Sequence, residues 1–192
     1  MKLHYKGKYN GDPSSLPKKD HEVNAVKFKE PTDTKQLALI ANGIAIVCFI
    51  LFFIPLVFYF KDLSSLQWAI GCALALLASY PHELLHAICF KEDVYLYTNF
   101  KQGMLFVVGP ERMSKARFVF LSLLPNLVFG FIPYVLAFIF DLKILAVFAA
   151  LSISCGAGDY LNVFNAMTQM PKGARCYLYE MNSYWYIPNK KA

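Results

Sequence analysis

From Gln36 to Phe60 the chain carries no charged residue. About 20 apolar residues in a helix cross about 30 Å of hydrocarbon, so this run is long enough to span a bilayer. Three further runs are nearly as apolar, and the expected spans are residues 37–60, 66–90, 116–140 and 144–167. Pro125 and Pro133 fall inside the third, which membrane helices tolerate when neighbours satisfy the freed backbone groups. Composition agrees, with 57% of the 192 residues hydrophobic and 17% charged. Soluble domains hold about 45–50% apolar and about 25% charged residues. Disorder, collagen and a secreted disulfide scaffold are excluded. The five cysteines are odd in number and mostly inside the apolar runs, so they read as packing residues. The expected fold class is an all-α membrane protein, four transmembrane helices with short cytoplasmic β-hairpin elements.

Lys and Arg set the expected orientation. The segments 1–36, 91–117 and 168–192 hold 17 of the 19 basic residues, and the two other connections hold only Lys61 and Lys143. With four spans these sets alternate sides, which puts both termini and the central connection in the cytoplasm. The net charge of +6 is then a topology signal and an anionic-lipid contact rather than a nucleic-acid footprint. No cleavable signal peptide is expected, because a polar lead of 36 residues precedes the first run. The expected organisation is a cytoplasmic segment 1–36, a membrane domain 37–167 with a β-rich connection at 91–115, and a cytoplasmic tail 168–192.

Outside the apolar runs, Val23–Phe28 alternates weakly and suggests one strand. Val94–Phe100 and Met104–Val108 flank Lys101-Gln102-Gly103 and predict a hairpin. Cys176–Met181 and Tyr184–Ile187 predict a second, turning at Asn182-Ser183.

The second run contains Pro81-His82-Glu83-Leu84-Leu85-His86. Histidines four apart project from one face of a helix at adjacent turns, which is the bite a single Zn²⁺ requires. Glu83 is then placed to activate the attacking water. The chain's own His and Glu frequencies give roughly 0.003 such matches by chance. Ionisable side chains in an apolar run are costly and mark function by default. The structural alternative is a pair of hydrogen-bonded helix histidines with Glu83 bonded to a neighbouring span.

A zinc hydrolase normally uses three protein ligands. The extended HExxHxxGxxH arrangement fails, because Cys89 and Glu92 occupy the later positions. Glu92 and Asp93 follow the helix too closely to turn back. The fourth run holds Gly156-Ala157-Gly158-Asp159, and Asp159 is the only other carboxylate deep in a run. Small residues beside it allow helices to approach closely. Asp159 and His82 both lie about 12 Å from the same expected membrane edge. Asp159 is the expected third ligand; the alternative is a buried acid bonded to Tyr160, Asn162 or a serine. Asn162 and Asn126 are candidates for binding a substrate carbonyl or oxyanion, with helix packing as the competing role.

His82-Glu83-Leu84-Leu85-His86, the β-rich connection and Gly158-Asp159 together resemble the putative zincin peptidase family. That family comprises small bacterial membrane proteins related to site-2-type intramembrane zinc metalloproteases. The resemblance covers about residues 65–170 and implies a zinc site of His82, His86 and Asp159, with Glu83 as catalytic acid/base. It also implies a bacterial cytoplasmic membrane. Site-2 proteases proper carry an Asn-Pro-Asp-Gly-like element, whereas the context here is Cys155-Gly156-Ala157-Gly158-Asp159-Tyr160-Leu161-Asn162. Intramembrane proteolysis is thus implied by analogy.

The expected function is that of a membrane-embedded zinc metalloendopeptidase acting on a membrane-associated polypeptide. Two rivals keep the same fold: a catalytically silent membrane scaffold, and a metal carrier using the same ligands. The carrier is the weaker, since the first and third runs supply no further ligands.

Overall fold

A computed structural model of the chain describes residues 1–31, 33–99 and 104–188. The first apolar run forms one helix, α1 (Thr34–Tyr59), whose N-terminus is capped by Asp33 accepting the Lys35 N–H. The second run is broken. Helix α2 (Ser65–Leu77) starts in a Ser64–Gln67 capping box, and helix α3 (Ser79–Ile88) follows after Ala78. Pro81 explains the break: it has no N–H to offer the Leu77 carbonyl, and its ring crowds that position. The third run is continuous but irregular. Helix α4 (Lys115–Asn126) passes through a π-helical turn at Leu127–Phe131 into helix α5 (Ile132–Ile139). The fourth run bends by 50° between α6 (Lys143–Cys155) and α7 (Ala157–Gln169).

Two helical stretches, Lys35–Tyr59 and Lys115–Ile139, are therefore long and apolar enough to cross a membrane, or up to three if the bent α6–α7 pair is one span. The sequence expectation of an all-α protein with four transmembrane helices is corrected by this. Strands are also more than local decoration: the fold is mixed α/β, with two sheets among the described residues.

The first sheet has the order β1-β3-β4. Strand β1 (Leu3–Lys8) runs parallel to β3 (Val94–Asn99), Leu3 opposite Val94, and β4 (Met104–Val108) pairs antiparallel to β3, Phe106 opposite Tyr97. The expected hairpin is thus present, with β4 as an edge; its tip at Lys101-Gln102-Gly103 lies outside the described residues. The second sheet has the order β2-β7-β6-β5. It joins β2 (Val26–Lys27), β5 (Met113–Ser114), β6 (Arg175–Tyr179) and β7 (Asn182–Tyr186). Its tail hairpin turns at Glu180-Met181, with Glu180 in the left-handed region at φ 57°, so Asn182 and Ser183 belong to the strand instead.

Together the sheets gather strands from 1–36, 91–117 and 168–192, the three segments rich in Lys and Arg. The chain therefore leaves the sheets along α1 and returns to them by α2 and α3. It leaves again along α4 and α5 and returns by α6 and α7.

Helix α6 is the centre of the helical part. Ala146, Val147, Ala149, Ala150 and Ile153 are all fully buried. Close approach needs glycine in the neighbours. A Cβ at Gly71 would lie 2.6 Å from the Val147 Cβ, and one at Gly130 would lie 2.7 Å from Ile153 Cγ1. By contrast α1 presents Leu39, Ile46, Leu51, Ile54 and Phe58 outward, each more than half exposed. An apolar surface of that extent marks contact with lipid or another apolar partner.

Candidate metal centre

Helix α3 places its two histidines one turn apart, with ring centroids separated by 4.9 Å. Helix α7 brings Asp159 against both. His82 Nε2 lies 3.2 Å from Asp159 Oδ2, and His86 Nε2 lies 3.2 Å from Asp159 Oδ1. One ligand atom from each of the three residues lies within 4.8 Å of the other two. The 50° bend between α6 and α7 falls at Gly156, three residues before Asp159.

The donor set can be tested against a metal. The Leu121 carbonyl can only accept, so His86 Nδ1 must donate to it, at 2.9 Å. In the neutral ring Nε2 is then a lone pair facing a carboxylate oxygen. Two acceptors at that distance repel unless a second ring proton or a metal cation lies between them. Ligand atoms about 2.0–2.2 Å from a tetrahedral zinc stand about 3.3–3.6 Å apart, and each histidine Nε2 lies 3.2 Å from its own Asp159 oxygen. Two imidazoles and one carboxylate also make a set that zinc accepts with one position left open. The residues fit the ion.

Glu83, between the two histidines on α3, reaches the first sheet. Its Oε2 accepts the Val107 N–H from β4 at 2.8 Å, and among the described residues no hydrogen bond occupies Oε1. Glu92 pairs with Lys19, and Asp93 accepts from His4 at 3.0 Å and from the Lys2 N–H at 2.8 Å. The His4 bond, with the Lys2 N–H beside it, holds the Asp93 carboxyl below its ordinary range. Neither of these two acids approaches the histidines' cluster, as the spacing along α3 required.

Of the two amide candidates, Asn126 is the one hydrogen-bonded to Asp159. Asn126 Nδ2 donates to Asp159 Oδ2 at 2.7 Å and to the Ser122 carbonyl at 3.1 Å. Asn162 is half-buried on α7 with no hydrogen bond among the described residues. Tyr160, one residue beyond Asp159, turns its hydroxyl to Asn126 Oδ1 at 3.1 Å and to the Ile153 carbonyl at 2.9 Å.

Sequence reasoning missed the groups that hold the end of α3. Arg117 donates from Nε and Nη2 to the Cys89 carbonyl, at 3.0 and 2.6 Å, and from Nη1 to Glu111 Oε1. Glu111 Oε2 accepts the N–H groups of Lys91 at 2.6 Å and Glu92 at 3.1 Å. Burial alone would raise the Glu111 carboxyl, but Arg117 and the two amides outweigh it and hold it below its ordinary value. This clamp fixes the turn between α3 and β3. The main-chain groups of Leu121 and Val107 were invisible as well, because every residue carries them.

Comparison with curated proteins and with solved structures finds no match to the chain. The model of one family matches residues 73–175, a stretch that holds both histidines, Glu83, the clamp and Asp159. The family's description is putative zincin peptidase, and the chain belongs to that family.

Proposed function

We propose that the chain is a membrane-anchored, zinc-dependent metalloendopeptidase that hydrolyses a peptide bond in a membrane or juxtamembrane segment of its substrate. The observation that carries this reading is the convergence of His82, His86 and Asp159 from two helices, with Glu83 on the same helix as the histidines. His82, His86 and Asp159 would hold Zn²⁺, and Glu83 would be the catalytic acid/base. A zinc ion bound there supplies Lewis acidity, polarising the scissile carbonyl and acidifying water toward a pKa of about 7.

Glu83 does the proton work. Its carboxylate takes a proton from the attacking water as the new C–O bond forms, then delivers it to the amine as the C–N bond breaks. The substrate must be extended at that point, since a helical amide is shielded and already paired. The outer edge of β4, which faces α3 and there bonds Glu83, would hold such a segment by main-chain hydrogen bonds. The outward apolar faces of α1 support a bilayer location. The lysine-rich segments gathered in the sheets support a cytoplasmic sheet side.

Metal analysis of the purified protein beside the Asp159→Ala variant tests the site. Stoichiometric zinc is expected in the first and not in the second. Zinc surviving the double His82→Ala, His86→Ala change would dispose of the reading. Glu83→Gln should keep the metal and lose hydrolysis of a membrane-anchored peptide.

A further inference from the structure

We propose that Asn126 is a positioning residue, which sets the rotation of the Asp159 carboxylate so that its oxygens meet His82 and His86. The inference rests on the metal-site reading above and extends it to a group that touches neither metal nor substrate. Asn126 is 1% exposed, at the C-terminal end of α4. Both hydrogens of its amide are committed, one to Asp159 Oδ2 at 2.7 Å and one to the Ser122 carbonyl at 3.1 Å. Its oxygen shares the single Tyr160 hydroxyl hydrogen, at 3.1 Å, with the Ile153 carbonyl at 2.9 Å. A flipped amide would set its oxygen against the Asp159 carboxylate and the Ser122 carbonyl, so only one orientation is tenable.

Space confines the group further. A Cβ at position 156 would fall 1.8 Å from Asn126 Oδ1, so the amide fills the room that glycine leaves. The donor therefore reaches Oδ2 from a fixed point, and Oδ1 is left for the side where His86 Nε2 stands 3.2 Å away. The same helix orients the other half of the site, because the carbonyl that receives His86 Nδ1 belongs to Leu121. One element, α4, thus aligns a ligand on α3 and a ligand on α7. Groups that orient metal ligands in this way change metal affinity by about 10–100-fold when removed.

The test adds Co²⁺ to the metal-free, full-length protein in detergent, using wild type, Asn126→Leu and Asn126→Ala. Leu keeps the volume and Ala shrinks it, while both lack the amide. Three quantities are read: the Co²⁺ dissociation constant, the visible ligand-field band and the thermal midpoint of the metal-free protein. The expected result is binding weakened by about 10–100-fold and a changed band in both variants, with the midpoint of at least one near that of wild type. Unchanged affinity and an unchanged band in either folded variant would overturn the inference. Loss of the metal-free fold in both would also overturn it, by making Asn126 a packing residue. Absence of Co²⁺ binding by wild type would instead strike the metal-site reading and take the inference with it.

Discussion

The carboxylate of Glu83 and the main-chain N–H of Val107 meet at 2.8 Å, across the gap between α3 and the outer edge of β4. In an antiparallel pair, residues alternate between those that exchange hydrogen bonds with the partner strand and those that point outward. Val107 points outward, so Leu96–Val107 is a non-bonded pair and Tyr97–Phe106 a bonded one. A substrate strand laid along β4 would need the N–H that Glu83 now holds. Pairing would take that donor from the carboxylate and leave Glu83 free for water.

Proline at Val107 deletes that donor while sparing the β3–β4 ladder, as an edge strand allows. Val107→Pro is expected to retain zinc and to raise KM for extended substrates by roughly 5–10-fold, the worth of about one hydrogen bond. Steady-state cleavage with metal analysis on the same preparation checks it. An unchanged KM would remove β4 from substrate binding.

Glu83→Gln keeps the shape and the Val107 contact but cannot take up the proton. Hydrolysis is expected to fall by about 10²–10⁴-fold, while zinc content and the thermal midpoint stay at wild-type values. Loss of zinc in this variant would show that Glu83 is a ligand rather than the acid/base.

Gly156→Ala puts a methyl group where Asn126 Oδ1 now sits, at a separation of 1.8 Å. Neither partner can yield cheaply, since Asn126 is fully buried and both hydrogens of its amide are bonded. The change is expected to cost about 1–3 kcal/mol of stability, as overpacking in a core does. It should also weaken metal binding. Gly158→Ala is the matched control, since a Cβ there meets nothing within 4 Å.

Glu111 gives the pH dependence a sign. Its folded-state pKa lies below the unfolded value, so its stabilisation is fully present above the unfolded carboxylate range. That contribution is lost as pH falls through the lowered folded value. Denaturant unfolding is therefore expected to show Glu111→Gln on the order of 2–3 kcal/mol less stable at neutral pH. The difference should shrink once acid has protonated Glu111 in wild type. A gap that stayed constant down to that pH would mean that the Arg117 pair contributes nothing through charge.

The His82, His86 and Asp159 cluster was legible in the sequence because it is written in rare residue types at conspicuous positions. His82 and His86 need only one helix to become neighbours, and Asp159 is conspicuous because a carboxylate amid apolar residues is costly. The two hairpins were legible for the same local reason. The error lay in treating hydropathy as architecture. A window average over 66–90 or 144–167 cannot see that Pro81 ends α2 at Leu77, or that Gly156 bends the chain by 50°. Those interruptions replaced two expected spans with broken helices, and the second falls three residues before Asp159.

What the sequence by itself determined was the apolar character of the chain and the three side chains, His82, His86 and Asp159, that the fold gathers into a cluster able to hold a metal ion. Periodicity and composition act over a few residues. Tertiary structure alone decided the remainder, and each case joins residues far apart in the chain. Strand β1 pairs with β3 in parallel, Leu3 opposite Val94, a contact with no local signature. The Leu121 carbonyl fixes which His86 nitrogen faces Asp159, and Asn126 fixes the carboxylate itself. Asn126 could be read in the sequence as an oxyanion donor or as helix packing, and only the packing of α4 against α7 turned its amide toward Asp159. A main-chain carbonyl is the same at every position, and an amide's partner depends on which helix lies beside it.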